Sequence, residues 1–195
     1  MKLYIIGGSP CSGKSTVAEA IAAQWGLTYF KVDDHLDSYL QKGAEAGKPA
    51  CAAVQAMSPE QIWMRDAHEQ CREELKIYEE IFGYVWQDIA SLDAPEGIIA
   101  EGAAFLPALV KQLGILPERY LSITPAKAFQ VHHYSKREWV PYVLAECSNQ
   151  EKAFANWMER DALFAAAVQQ QCAQCGYRSV INDGSLAPNE LIELA

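Results

Sequence analysis

The sequence predicts an α/β fold, a three-layer α/β/α sandwich built on a parallel sheet of five strands. Two observations predict it. Short apolar segments alternate with helical segments along the chain, and the first of them leads through a glycine-rich loop into a helix. Strands separated by helices pair in parallel and are covered on both faces by right-handed crossovers. The 195 residues, half of them apolar, suit a single domain spanning residues 1–195.

The N-terminal segment carries the strongest motif of the chain. Residues 8–15 read GSPCSGKS and match the pattern G-x-x-x-x-G-K-[ST], with a predicted strand at 2–7 before them and a predicted helix at 15–25 after them. Glycine allows the backbone to approach an anion closely, and the free amides of a helix N-terminus favour negative charge. The segment therefore predicts a phosphate-binding loop. A glycine- and serine-rich turn that ends in a helix cap is the alternative interpretation.

Each residue of this loop has a predicted contact with a nucleotide. Lys14 is expected to reach the β- and γ-phosphates, the Ser15 hydroxyl to bind Mg²⁺, and Thr16 to hydrogen-bond the α-phosphate. The other predicted nucleotide-binding residues of the loop are Gly8, Ser9, Pro10, Cys11, Ser12 and Gly13. Cys11 is interpreted as a small filler whose pKa could be lowered by the nearby helix-end amides.

The remaining elements follow in order. Apolar segments predict strands at residues 28–32, 98–101, 119–124 and 177–181. Helical periodicity predicts helices at residues 107–113, 149–175 and 188–194. The pattern Ser58-Pro59-Glu60-Gln61 predicts the start of a long helix that is interrupted near Gly83 and ends at Asp93. Residues 41–57, rich in small side chains, are interpreted as a mobile or loosely helical connection outside the core.

Acidic residues end three of the predicted strands. Asp33 and Asp34 follow the second strand, Glu101 ends the third, and Asp183 follows the fifth. The carboxyl ends of parallel strands meet at one edge, so these acids are predicted to converge near the loop. Asp33 or Asp34 is predicted to be the catalytic base, with Asp33 preferred, and both are candidate Mg²⁺ ligands together with Glu101 and Ser15. Helix capping by the two aspartates and a paired, structural Glu101 are the alternatives.

A basic, aromatic segment interrupts an otherwise acidic chain. Residues 132–139 read HHYSKREW, whereas the formal net charge of the protein is −9. We interpret residues 126–147 as a lid in which Arg137, with Lys136 as second choice, stabilises charge on a transferred phosphoryl group. A solvated helix face is the alternative. Arg160 is either a second arginine that returns to the phosphates or a partner in an intrahelical ion pair.

The segment after the last strand has two interpretations. Asp183 and Gly184 are predicted to belong to a loop on the adenine side of the nucleotide, where backbone groups would meet the base. A plain turn is the alternative interpretation.

Composition excludes several classes of partner. A net charge of −9 disfavours a general nucleic-acid surface, which requires a basic excess. The absence of a long apolar run and of a basic N-terminal prefix predicts neither a membrane span nor a signal peptide, hence a cytoplasmic protein. The six cysteines lack the spacing of a disulfide framework and are interpreted as reduced thiols.

These residues resemble the small P-loop kinases, a group that includes nucleoside monophosphate kinases, uridine kinase, shikimate and gluconate kinases and chloramphenicol phosphotransferase-like proteins. The resemblance rests on the segments GGSPCSGKST, VDDH, IIAEG and HHYSKREW. It implies ATP with Mg²⁺ as phosphoryl donor and a sheet in the order 2-3-1-4-5. It also implies an acceptor pocket between the lid and a helical insert at residues 36–94.

The predicted function is transfer of the γ-phosphoryl group of Mg-ATP to a hydroxyl or phosphate of a small molecule. An ATPase or nucleotide-binding regulator is the alternative, and a polynucleotide-end kinase is disfavoured by the acidic composition. Neither the acceptor nor the oligomeric state follows from the sequence. Residues of the insert that could bind a phosphorylated or sugar-like acceptor, or else form helix surface and core, are Tyr39, Trp63, Arg65, His68, Arg72, Tyr78 and Trp86.

Overall fold

The computed structural model describes residues 2–185 and 188–193 and contains a parallel sheet of five strands. The strands are β1 (Leu3–Gly7), β2 (Thr28–Lys31), β3 (Ile98–Glu101), β4 (Tyr120–Pro125) and β5 (Arg178–Asn182). They pair in the order β2-β3-β1-β4-β5, with Ile6 of β1 opposite Glu101 of β3 and Leu121 of β4. The predicted fold class and the strand order implied by the resemblance are both confirmed.

Helices cover both faces of the sheet. They are α1 (Lys14–Trp25), α2 (Leu36–Glu45), α3 (Pro49–Gln55), α4 (Pro59–Trp63), α5 (Ala67–Ser91), α6 (Pro107–Gln112), α7 (Lys127–Tyr134), α8 (Val140–Val143), α9 (Gln150–Cys175) and α10 (Pro188–Glu193). Successive strand residues face opposite layers: Ile5 packs with α5, α6 and α9, whereas Ile6 packs with α1 and α10. Position 194, the end of the predicted last helix, lies outside the described residues.

The prediction that residues 41–57 form a loose connection outside the core is wrong, because this stretch forms the second half of α2 and all of α3 and contributes buried residues. Cys51 is fully buried, and a Cβ added to Gly43 would lie 2.6 Å from its Sγ, so glycine allows the two helices to pack closely. Pro49 occupies the first turn of α3, and Glu80 of α5 accepts hydrogen bonds from the amides of Ala50 and Cys51. Small residues indicate close packing here.

The predicted long helix is interrupted at a different place. The capping box at Ser58 is present, but α4 ends at Trp63, and α5 begins after Asp66, which accepts hydrogen bonds from the amides of His68 and Glu69. Gly83 is exposed and lies inside α5, where its Cβ position meets no other atom within 4 Å. An exposed glycine costs a helix about 1 kcal/mol, which a buried face over 25 residues outweighs.

Residues 126–147 contain α7 and α8 and form a small core of their own with the start of α9. Its centre is aromatic: the Trp157 ring lies 5.2 Å from Tyr134 and 5.8 Å from Trp139, and it stacks on Trp63 of α4 at 4.3 Å. The segment is therefore packed against both α9 and α4.

Candidate active site

The loop between β1 and α1 has the backbone geometry of an anion site. Gly8, Cys11 and Gly13 have φ values of 121°, 62° and 89°. A Cβ on Gly8 would lie 1.9 Å from the carbonyl oxygen of Ile123, so only glycine allows the loop to pass this close to β4. Gly13 precedes α1 and offers no side-chain cap, which leaves the amides of the first helical turn available to an anion.

Lys14 lies across this loop. Its side chain is nearly buried, at 6% exposure, and its Nζ donates to the carbonyl oxygen of Ser9 at 2.8 Å. Ser9 is buried in turn and donates its hydroxyl to the backbone carbonyl of Asp161 in α9 at 3.3 Å. The ammonium group is thus held beside the loop amides by a neutral partner.

Glu101 connects the loop to β3. It is fully buried, and its Oε1 accepts hydrogen bonds from the Ser15 hydroxyl at 2.9 Å and the Tyr29 hydroxyl at 3.0 Å. Its Oε2 has no hydrogen-bond partner among the described residues. Burial and the neighbouring Glu101 carboxylate both raise the pKa of Tyr29, so its phenol stays protonated and remains a donor. Tyr29 was not predicted as a site residue, and its position one strand residue before the core Phe30 gave no signal.

The oxygen atoms of Ser15 and Glu101 suit a hard divalent cation. A hydroxyl and a buried carboxylate with an unpartnered oxygen are the ligand types that Mg²⁺ accepts, and Mg²⁺ in phosphoryl-transfer sites takes its other ligands from phosphates and water. No group of three or more His, Cys, Asp or Glu side chains that could hold a metal ion occurs in residues 2–185 or 188–193.

A cavity of about 410 Å³, which we call the nucleotide cavity, opens above the loop. Its floor is formed by residues 10–16, and Asp33, Ala103 and Arg137 are among its other lining residues. The cavity brings together the loop, one of the two predicted aspartates and the predicted lid arginine.

The two aspartates after β2 lie in different surroundings. Both belong to a short 3₁₀ turn at Val32–His35, and only Asp33 lines the nucleotide cavity. Asp34 is two-thirds exposed and pairs with Lys31 at 3.5 Å. The structure therefore places Asp33, and not Asp34, beside the loop.

Arg137 approaches the loop from residues 126–147. Its guanidinium lies 5.2 Å from the Tyr134 ring and 5.6 Å from the Trp139 ring, and one of its nitrogens is 3.7 Å from Cys11 Sγ. Burial raises the pKa of the Cys11 thiol, and Arg137 only partly opposes this, so the expectation of a lowered pKa is wrong. Lys136 contacts His132 at 2.7 Å and does not line the cavity.

The end of β5 reaches the loop through Asn182, the first residue of the segment predicted as an adenine-side loop or a plain turn. Asn182 donates its side-chain amide to the carbonyl oxygen of Ser12 at 3.0 Å and accepts from the amide of Gly184 at 3.0 Å. Asp183 is exposed, and hydrogen bonds from Ser185 lower its pKa. Neither Asp183 nor Gly184 lines the nucleotide cavity.

The loop between β1 and α1 has the geometry of a phosphate loop, and the strands pair in the order β2-β3-β1-β4-β5. The phosphate loop and this strand order are the fold features that the resemblance to the P-loop kinases implies.

Solved structures similar to the chain include a shikimate kinase from Aquifex aeolicus, with 17% identity and a TM-score of 0.42 over 100% of this chain and 92% of that one. They also include TT1252 from Thermus thermophilus, with 17% identity and a TM-score of 0.48 over 100% of this chain and 94% of that one. No protein-family model and no curated protein matches the chain.

Two general expectations concern the whole chain. Each of the six cysteines is a free thiol, as predicted. Within the part of the chain that the structure describes, no helix has both the length and the apolar character needed to span a bilayer.

Beneath the phosphate loop, α5 and α9 share a buried cluster of charges. Arg160 lies 2.8 Å from a carboxylate oxygen of Glu74 and 2.6 Å from one of Asp161, and Gln130 of α7 donates to Asp161 at 3.1 Å. Burial and the Asp161 carboxylate raise the pKa of Glu74 to about 7, although Arg160 opposes the shift. Arg160 therefore forms ion pairs both within its helix and across to α5, and it does not line the nucleotide cavity.

A second cavity, of about 270 Å³, adjoins the first, and we call it the acceptor cavity after the role proposed for it below. Leu36 and Tyr78 line both cavities. The other apolar lining residues are Leu40, Val54, Ile62, Trp63 and Ile77. The polar lining residues are Arg65, Gln70, Glu73, Glu74 and Arg160.

Some of the insert residues that were candidates for acceptor binding line this cavity, and others do not. Trp63, Arg65 and Tyr78 line it, whereas Arg72 lines a charged cleft next to it. Tyr39 is buried and donates to Asp88 at 2.7 Å. The remaining two do not contribute to the cavity: His68 is exposed and Trp86 packs against the core.

Proposed function

We propose that this protein transfers the γ-phosphoryl group of Mg-ATP to a hydroxyl or phosphate group of a small molecule. One observation carries the proposal: the Ser15 hydroxyl at the start of α1 bonds the fully buried Glu101 carboxylate, beside a loop that also holds the Lys14 ammonium. Backbone donors, a cation and hard oxygen ligands therefore meet at one loop, and a nucleoside triphosphate with its metal requires all three.

In this proposal the chain divides the work of phosphoryl transfer among its own residues. The amides of residues 8–16 bind the phosphates, and Lys14 neutralises charge on the β- and γ-phosphates. Ser15 and Glu101 would hold Mg²⁺, directly or through water. When bound, that ion supplies positive charge shared between the phosphate oxygens.

Asp33 would activate the acceptor. Asp33 lines the same cavity as the loop, so it is placed to accept the proton of an acceptor hydroxyl. The new bond forms between the acceptor oxygen and the γ-phosphorus, the bond from that phosphorus to the β-bridging oxygen breaks, and ADP leaves. Arg137, brought by residues 126–147 acting as a lid, stabilises the charge that moves to the transferred group.

The acceptor cavity supports transfer over simple hydrolysis. It shares Leu36 and Tyr78 with the nucleotide cavity, so a molecule bound there would lie next to the cavity to which we assign the triphosphate. Residues 36–94 contribute most of its walls, which suits their proposed role as an acceptor-binding insert.

ADP formation measured across sugars, nucleosides and small acids tests the proposal. We expect one class of compound to raise ADP release many-fold above the basal rate, and Lys14→Ala to lower that rate by about 10³-fold. Lys152→Ala, at an exposed position of α9, is the matched control. If calorimetry shows no association with millimolar ATP and Mg²⁺, the proposal is wrong. Slow hydrolysis that no compound stimulates would instead support a nucleotide-binding regulator.

A further inference from the structure

The charges that line the acceptor cavity are already paired. Arg65 contacts Glu73 at 2.5 Å, and Arg160 is held between Glu74 and Asp161. The five side chains are largely or fully buried, with exposures between 0% and 24%. An anionic ligand would therefore find two guanidinium groups that are each already paired with an acidic side chain. In a cavity of low dielectric constant it would be repelled by the nearest of those carboxylates.

A polar group of the wall also requires a hydrogen-bond donor from the ligand. Gln70 is 3% exposed, and its Nε2 donates to the carbonyl oxygens of Trp63 and Arg65, which fixes the orientation of the amide. Its Oε1 has no hydrogen-bond partner among the described residues, and neither has Nε of Arg65. A carboxylate or a phosphate dianion has only acceptor atoms, whereas a hydroxyl group can donate and accept. The wall therefore matches a neutral hydroxyl better than an anion.

The rest of the wall is apolar. Ile62 and Trp63 come from α4, and Leu40 comes from α2. The Trp63 ring is held by stacking on Trp157 at 4.3 Å with 26° between the planes. A fixed aromatic surface favours a ligand with a flat or apolar face.

We propose, on the basis of the proposed function, that the acceptor is an uncharged, hydroxyl-bearing small molecule with an apolar or aromatic face, bound in the acceptor cavity. Anionic acceptors are excluded by the paired charges. The proposal narrows the acceptor from the wider set of hydroxyl and phosphate compounds to neutral alcohols.

Binding of three probes that differ only in their polar group tests the proposal without nucleotide. The full chain is labelled with 5-fluorotryptophan, the Trp63 resonance is assigned with Trp63→Phe, and benzyl alcohol, benzoate and phenyl phosphate are titrated. We expect benzyl alcohol to shift the Trp63 resonance at a concentration about tenfold or more below that needed for either anion. If an anion acts at an equal or lower concentration, or if no probe shifts this resonance, the proposal is overturned.

Removing one of the paired carboxylates tests whether charge pairing causes the preference for a neutral ligand. Glu73→Gln leaves Arg65 without its carboxylate partner, so we expect benzoate to bind about tenfold or more tightly than it binds the unchanged protein. Glu79→Gln, exposed on the same helix, should leave the probe preference unchanged. The dispersion of the five tryptophan resonances reports folding of each variant. A folded Glu73→Gln protein that keeps the original preference would contradict charge pairing as the cause.

Turnover separates this inference from the proposed function. ADP formation is compared within pairs, a ribonucleoside against its 5′-monophosphate and glucitol against gluconate. If the anionic member of a pair is the better acceptor, the inference fails although the protein is a kinase. If ATP does not bind at all, the proposed function fails, whereas the probe titrations still measure the cavity.

Discussion

The nucleotide cavity and the acceptor cavity share a wall but are built in different ways. Residues 10–16 are consecutive and form the floor of the first, whereas the second takes its walls from α2, α3, α4, α5 and α9. In the first, Lys14 is held by a neutral carbonyl and its charge is available to a ligand. In the second, Arg65 and Arg160 are each paired with carboxylates. One cavity suits a polyanion, and its neighbour suits a molecule without charge.

Removing the buried carboxylate that accepts a hydrogen bond from Ser15 should have the largest effect. Glu101→Gln preserves the size of the side chain but removes the anion opposite Ser15, so we expect kcat to fall by about 10³-fold and the Mg²⁺ requirement to rise. ADP formation is measured against Mg²⁺ concentration. Glu96→Gln, on the exposed turn before β3, is the control. Unchanged Mg²⁺ dependence in Glu101→Gln would remove this residue from the metal site.

The two aspartates after β2 provide the next test. Asp33→Asn should lower kcat by about 10²-fold, because an amide cannot accept the proton of the acceptor. Asp34→Asn should change kcat by less than about twofold, since an exposed pair such as that with Lys31 contributes little. Equal losses in both variants would contradict the assignment of Asp33 as base.

A smaller effect is expected from the lid. Arg137→Ala should lower kcat by about tenfold, the loss of one hydrogen bond to a charged group, with little change in the KM for ATP. Lys136→Ala, which removes a side chain directed at His132, serves as the neighbouring control. A loss that appears in KM and not in kcat would indicate that Arg137 binds the ground state only.

Glu74, which lines the acceptor cavity, should make the free energy of unfolding depend on pH. The folded pKa of Glu74 is raised from 4.5 to about 7, so the folded state holds a proton that the unfolded chain releases. This contribution to stability is complete below about pH 4.5 and is lost as the pH rises through about 7, at a cost of the order of 3 kcal/mol.

Glu74→Gln cannot ionise and leaves Arg160 with Asp161 as its one carboxylate partner among the described residues. Its unfolding free energy, measured by urea denaturation at about pH 5 and about pH 8, should therefore fall less with pH than that of the unchanged protein. Glu79→Gln, exposed on the same helix, should retain the original pH dependence. If the unfolding free energy of Glu74→Gln falls with pH as steeply as that of the unchanged protein, the proton is held by another group.

The same contrast explains what could be predicted from the sequence. The phosphate loop is a local feature, because its glycines and its lysine act through neighbouring backbone atoms, and the alternation of strands and helices is also readable along the chain. The acid at the end of β3 could be noticed because a charge rarely ends an apolar run without a partner.

The acceptor cavity could not be predicted in this way. Glu74 and Arg160 are 86 positions apart, and each alone is ordinary on a helix. Their burial depends on how α5 packs on α9. Asn182 likewise reaches Ser12 only because β5 lies at the edge next to β4. Asp66 with Glu69 three positions later was the available signal for the start of α5, since that spacing is typical of a helix N-terminus.

Tyr78 and Leu36 stand between the two cavities and belong to both. Under the proposed function, these two shared side chains would make the Michaelis constants for donor and acceptor interdependent, and substituting either would alter the binding of both ligands. Acceptor preference is therefore best changed at Val54 and Ile62, which line the acceptor cavity and not the nucleotide cavity.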